Sequence, residues 1–217
     1  MVYEIKNILK EKFPVSVDFA RFVSHIIKSH ISKSKIKHLL QANNSIYLDV
    51  GAGDKKGRDG WTTIDLTDNC DIYWDLNKGL PFPDESISKI YSSHFLEHLT
   101  FKEGQKFLDE CFRVLLPGGA FSVCVPNSRM YIEAYLNSTS LDKDYFQYGP
   151  AYNQTTLIDY VNYTAYMDGH HKYMFDEDNL IYLLESKGFR SVRLRGFDPD
   201  LDLEFRDFES IYAESEK

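Results

Sequence analysis

The chain has 217 residues, 43% hydrophobic and 15% aromatic, with a formal net charge of −8. This length fits one domain with a substantial core, since about 70% of the unfolded surface is buried at such a size, and the acidic balance opposes binding to nucleic-acid phosphates. No stretch approaches the roughly 18 consecutive apolar residues of a membrane span, the first residues lack the layout of a secretory signal, and Cys70, Cys111 and Cys124 are too scattered for a disulfide framework or a zinc knuckle; a cytoplasmic protein with buried thiols is expected.

Residues 1–42 show helical spacing, as at Phe19, Phe22, Val23 and Ile26, which predicts two or three helices. The lysines between Lys28 and Lys37 read as a solvated helix face. Ile46-Tyr47-Leu48-Asp49-Val50 is short and apolar enough for a strand of a parallel sheet, and it ends at Gly51-Ala52-Gly53, where backbone can approach a ligand closely. Asp49 at the strand end would be a costly buried charge without a partner, and a cationic amino-acid moiety would supply one. Trp61-Thr62-Thr63-Ile64-Asp65 reads as a second strand whose terminal carboxylate can accept two ribose hydroxyls. The glycines at 51, 53 and 57 precede no helix-length segment, which argues against a dinucleotide fingerprint. An ordinary glycine turn is the plainer alternative.

Only residues 51–60 separate the first two strands, too few for a normal crossover helix. An irregular connection through 65–71 then leads to a stubby strand at 72–74. Further on, 88–92 reads as a fourth strand and 101–115 as a helix with Phe107, Leu108, Cys111 and Leu115 on one apolar stripe. Pro117-Gly118-Gly119 is expected to end that helix, and 120–125 to form a fifth strand deep in the sheet. Residues 127–173 hold nine of the fifteen tyrosines. They read as an insertion forming a substrate wall, because rings with polar tips suit a sugar-like ligand; the alternative is an aromatic cap packed on itself. A helix at 176–187 and strands near 190–197 and 210–216 complete the order.

Four blocks in sequence, Leu48-Asp49-Val50-Gly51-Ala52-Gly53, Thr63-Ile64-Asp65-Leu66, Asp75-Leu76 running into Leu80-Pro81-Phe82-Pro83-Asp84, and Ser92-Ser93-His94-Phe95-Leu96-Glu97-His98-Leu99 with Leu115-Leu116-Pro117-Gly118-Gly119 beyond, resemble the class I S-adenosylmethionine-dependent methyltransferases. The likeness is to a compact branch associated with polysaccharide or small-molecule modification. It implies an α/β, Rossmann-like, doubly wound and mostly parallel seven-stranded sheet with an antiparallel last strand. A single domain over 1–217 would carry an N-terminal helical segment at 1–42, packing beside the cofactor cleft, and a substrate-side insertion at 127–173. By the same resemblance S-adenosylmethionine is the cofactor, held by Asp49, Gly51, Gly53, Asp65 and Ser93, with Asp75 and Leu76 at the adenine edge. For Asp75 a strand-ending turn acid is the alternative.

Methyl transfer from a sulfonium needs chiefly proximity, while an acceptor alcohol must also lose a proton, for which histidine is the commonest group. His94, directly after the fourth strand, and His171, at the end of the insertion, are the candidate catalytic residues, with His170 a less favoured neighbour. The expected acceptor is a small molecule, its oxygen or nitrogen methylated, with a sugar or glycan precursor preferred. A non-catalytic cofactor- or partner-binding domain is the alternative. A remoter one is a zinc peptidase, since His94, Glu97 and His98 spell H-x-x-E-H; that reading needs a helix through 94–98 and a distant third ligand. No metal is expected, and Glu97 reads as an acid at a turn or helix start.

Overall fold

The computed structural model describes residues 17–42, 45–57, 59–142, 146, 148–149 and 155–217. The apolar runs become β1 (Tyr47–Val50), β2 (Trp61–Asp65), β3 (Ile72–Tyr73), β4 (Ile87–Ser93), β5 (Leu115–Pro126), β6 (Arg190–Arg195) and β7 (Ser210–Glu216). They form one sheet in the order β3-β2-β1-β4-β5-β7-β6, parallel throughout except for β7, which runs antiparallel to both neighbours. Leu48, Val50, Ile87, Phe121, Val123 and Val125 on the central strands are fully buried, as expected of a sheet covered on both faces.

The helices are α1 (Val17–Gln41), α2 (Phe101–Val114), α3 (Ser128–Leu136), α4 (Ile158–Ala165) and α5 (Glu177–Ser186). α2 starts at a capping box: Thr100 Oγ1 accepts from Glu103 N while Glu103 accepts from Thr100 N at 2.8 Å. Its buried stripe is Phe107, Leu108, Cys111 and Val114. The expected helix stop is not where the sequence suggested. α2 passes directly into β5 at Leu115, and Pro117-Gly118-Gly119 is a bulge inside the strand, because Ile87 faces Leu115 whereas Lys89 already faces Ala120.

One further expectation is corrected at the N-terminal side. The described part of that segment is one long helix, and residues 1–16, on which the rest of the two- or three-helix expectation falls, lie outside the described residues. The lysines of α1 also do more than meet solvent. Lys28 pairs with Asp68, Lys35 donates to Asp71 O at 2.7 Å, and Ser32 Oγ accepts from Tyr73 N at 2.8 Å. α1 thereby covers the edge strand β3 and satisfies a donor that the sheet leaves open.

Among the described residues no helix separates β1 from β2, as anticipated, and Asp71 is one of the carboxylates that hold the short loop. Asp71 accepts from Gly57 N at 2.8 Å and from Thr63 N and Oγ1 at 3.2 and 3.1 Å, with Lys56 at 3.4 Å. Burial alone would raise its pKa, but the hydrogen bonds from Thr63 and Gly57 win and hold it below the ordinary 3.8. A depressed carboxylate contributes stability that is present above its unfolded pKa and lost as pH falls through the folded value. Asp71→Asn should therefore lower stability at neutral pH and flatten its fall below pH 3.8. Urea unfolding at several acid pH values checks this; a variant with the wild-type acid profile would show that Asp71 does not hold the loop.

Candidate active site

Parallel packing of β1 on β2 brings Asp49 and Asp65 to the same, carboxyl ends of adjacent strands, with Asp49 beside Thr63 and Val50 beside Ile64. The cation that Asp49 requires is supplied by the chain: Lys55 Nζ lies 2.9 Å from Asp49 Oδ2. The two glycines have different uses. Gly51 has φ +73°, and a Cβ there would meet Phe95 Cγ at 2.2 Å, so its missing side chain admits an aromatic ring rather than leaving room for a ligand. Gly53, at φ +63°, has open space around it and donates its N–H to Asp65 Oδ2 at 2.8 Å. The other Asp65 oxygen accepts from Leu66 N.

Asp75 caps the short turn Leu76–Lys78, accepting from Asn77 N at 3.1 Å, which is the turn-acid role. Leu76 lines a cavity of about 450 Å³ with Phe95, Leu99, Phe107 and Glu110. Ser93 is buried as the last residue of β4, opposite Cys124.

His94, next in the chain, takes φ +49°, a left-handed backbone that is uncommon for a residue with a side chain. Its imidazole is only 7% exposed. Ser210 Oγ donates to Arg206 O at 2.7 Å, and a hydroxyl has one proton to give, so His94 Nε2–H donates to Ser210 Oγ at 2.8 Å. Burial pushes the His94 pKa well below 6.5 and keeps the ring neutral. Its Nδ1 lone pair is then turned to Glu97 Oε1, 3.6 Å away.

Glu97 stands in the first turn of the short helix Leu96–His98, the place expected of it, but it is buried there. Its side chain is 2% exposed, burial pushes its carboxyl up to about 8, and neither oxygen has a hydrogen-bond partner among the described residues. His98 Nδ1 contacts His170 O at 2.9 Å and His171 Nδ1 contacts Thr164 O at 2.8 Å. A carbonyl only accepts, so each Nδ1 carries the proton. Burial lowers both pKa values, that of His171 to about 4, which leaves each Nε2 as a lone pair. These groups line a cavity of about 380 Å³ whose other walls include Tyr148, Tyr163 and Arg206.

The geometry overturns the helix that an H-x-x-E-H peptidase site needs: only Leu96–His98 is helical, as a single 3₁₀ turn, and the His94 ring is committed to Ser210. The tyrosine-rich insertion is likewise more core than wall. Tyr131, Phe146, Tyr160 and Tyr163 form a second apolar cluster under α3 and α4, and of the described tyrosines Tyr148 and Tyr163 line the cavity. Sequence reasoning missed Lys55, Phe95, Arg206 and Ser210. Only Phe95 carried a signal, an aromatic inside a motif block.

Residues 65–123 match the model of a methyltransferase domain family. A "Probable S-adenosylmethionine-dependent methyltransferase" of Mycolicibacterium smegmatis is 46% identical over 48 residues, which cover 22% of this chain and 18% of that protein. The match thus spans less than a fifth of the curated relative's length. Among solved structures, an S-adenosylmethionine-dependent methyltransferase from Archaeoglobus fulgidus is similar over 98% of this chain and 99% of its own, with 17% identity and a TM-score of 0.50. A 1,6-didemethyltoxoflavin N1-methyltransferase from Burkholderia thailandensis, crystallised with bound 1,6-didemethyltoxoflavin and S-adenosylhomocysteine, is 17% identical over 99% of this chain and 89% of its own, with a TM-score of 0.49. The seven-stranded sheet with its antiparallel β7 is the Rossmann-like methyltransferase fold.

Proposed function

We propose that this chain is a class I S-adenosylmethionine-dependent methyltransferase, acting on an oxygen or nitrogen of a small-molecule acceptor. The observation that carries the reading is the paired strand ends, Asp49 ion-paired to Lys55 and Asp65 beside the open Gly53, together with a histidine-lined cavity. The methyltransferase-domain match over residues 65–123 supports it.

The residues present fit the cofactor. Asp65 would take the ribose hydroxyls, the backbone at Gly53 leaves room for close approach, and Asp49 would exchange Lys55 for the ammonium of the methionine moiety. Leu76 would pack on the adenine, with Asp75 and Ser93 near it. When bound, S-adenosylmethionine supplies a methyl on a good leaving group, so the protein's task is alignment. At the other end His171 is the better of the two candidate bases. It keeps an Nε2 lone pair, whereas His94 spends Nε2–H on Ser210 and serves to position the turn. A cavity of about 380 Å³ with two tyrosines suits a small polar acceptor, a sugar or glycan precursor being our preference. In this reading residues 1–217 act as one cytoplasmic domain, with α1 packed beside the cofactor side through Asp68 and Asp71. Among the described residues no helix is long and apolar enough to cross a membrane.

Calorimetric titration with S-adenosylhomocysteine should show one site per chain, and labelled donor should pass methyl to a hydroxyl or amine compound in a substrate panel. Absence of cofactor binding to folded protein would reject the reading. Binding without turnover of any acceptor would favour a non-catalytic domain.

A further inference from the structure

The strand-end cavity contains a donor set that alignment of a methyl group does not call for. Glu97, His98 and His171 each offer one ligand atom, and the three atoms lie within 4.8 Å of one another. We propose that these three residues bind a divalent transition-metal ion, with zinc the best match to two imidazoles and one carboxylate.

Three observations carry this. First, Glu97 is buried with both oxygens unpartnered among the described residues, and a carboxyl group in that position is costly unless something satisfies it. The ring nitrogens nearest to it, His94 Nδ1 at 3.6 Å and His98 Nε2 at 3.8 Å, stand beyond hydrogen-bond reach of its oxygens. A cation would satisfy the carboxylate and the imidazole lone pairs of His98 and His171 together. Second, both of those rings donate Nδ1–H to a backbone carbonyl, of His170 and of Thr164. This is the outer arrangement by which metal-bound histidines are fixed with Nε2 forward. Third, the spacing is set by main chain rather than by mobile side chains: Lys172 N donates to Glu97 O at 2.8 Å, joining the segment that carries His171 to the turn that carries Glu97 and His98.

A tetrahedral ion about 2.1 Å from each donor needs them about 3.4 Å apart, so a pair at the 4.8 Å limit must close by about 1.4 Å. His94 does not join the set, because its nitrogens fall outside the group and Nε2 is held by Ser210. The site is therefore not the H-x-x-E-H one of a peptidase. A fourth position opens on the cavity, where water or an acceptor oxygen would coordinate. Since one lone pair cannot serve twice, ion binding excludes proton acceptance by His171, and in the loaded protein the ion's charge would polarise the acceptor oxygen instead.

The inference rests on the donor set alone, so its test needs neither methyl donor nor acceptor. Full-length protein, stripped with a chelator and dialysed, is titrated with Zn²⁺ by calorimetry and with Co²⁺ by visible absorption. One ion per chain is expected, with cobalt bands of four-coordinate intensity. His98→Asn and His171→Asn should each weaken binding by more than the roughly 10- to 100-fold that loss of an outer hydrogen-bond partner costs, while His30→Asn on the exposed side of α1 should leave it unchanged. The His98 side chain is 39% exposed, so its variant keeps the fold, which circular dichroism verifies. Failure of the wild-type protein to bind stoichiometrically, or wild-type affinity in folded His98→Asn, overturns the proposal.

Discussion

Gly51→Ala is expected to cost about 2 to 5 kcal/mol of stability, a large share of the roughly 5 to 15 that a domain possesses. Two separate effects contribute. Alanine at φ +73° occupies a left-handed conformation costing about 1 to 2 kcal/mol. Its methyl would also stand 2.2 Å from Phe95 Cγ and 2.6 Å from Phe95 Cβ, a clash that the ring can relieve only by leaving its packing against Phe107; overpacking of this kind costs about 1 to 3 kcal/mol. The readout is the urea midpoint at constant slope. Because the second effect belongs to a pair, Gly51→Ala with Phe95→Ala should be less unstable than the two single losses added together. Strict additivity, or an unchanged midpoint for Gly51→Ala, would show that the ring does not lie on the glycine.

For Asp65→Ala the expected loss is in cofactor affinity, about 1.5 to 3 kcal/mol from charge-assisted hydrogen bonds to the ribose, or roughly 10- to 150-fold in Kd for S-adenosylhomocysteine. Asp65 also accepts the N–H of Gly53, so part of the effect would come from a loosened turn. Asp65→Asn separates the two contributions. Its amide oxygen can still accept from Gly53, and it should fall between the wild type and alanine. Wild-type affinity in Asp65→Ala would remove the ribose from this strand end.

The strands were legible because apolar runs of the right length stand between turn residues, and the absence of a helix between β1 and β2 followed from spacing alone. The continuity of α1 was also there to be read, since neither glycine nor proline interrupts Val17–Gln41. What misled at β5 was local punctuation: Pro117-Gly118-Gly119 is a plausible helix stop, but pairing with Ile87 on one side and the bond between Gly118 N and Lys217 O on the other hold it in the sheet. Such long-range pairing outweighs local propensity. Composition could likewise count the tyrosines of the insertion without telling which way they turn. Tyr131 and Tyr160 face inward and stabilise a cap. The burial of Glu97 was not legible for a related reason. Its burial depends on segments around His171 and Arg206 that no local motif announces, and the anchor of His94 lies 116 residues away at Ser210.

β7 sits between β5 and β6, with Pro126 facing Ser210 across the whole insertion and α5, and β6 meets the sheet only through it. Contacts so distant in sequence are slow to form. Ser210 arrives with that strand, and Arg206 and Glu209 immediately before it. A nascent molecule could therefore possess the glycine turn and both strand-end acids while its histidine chamber still lacked a back wall. In this topology the histidine-lined cavity is complete only when the seam between β5 and β7 has closed.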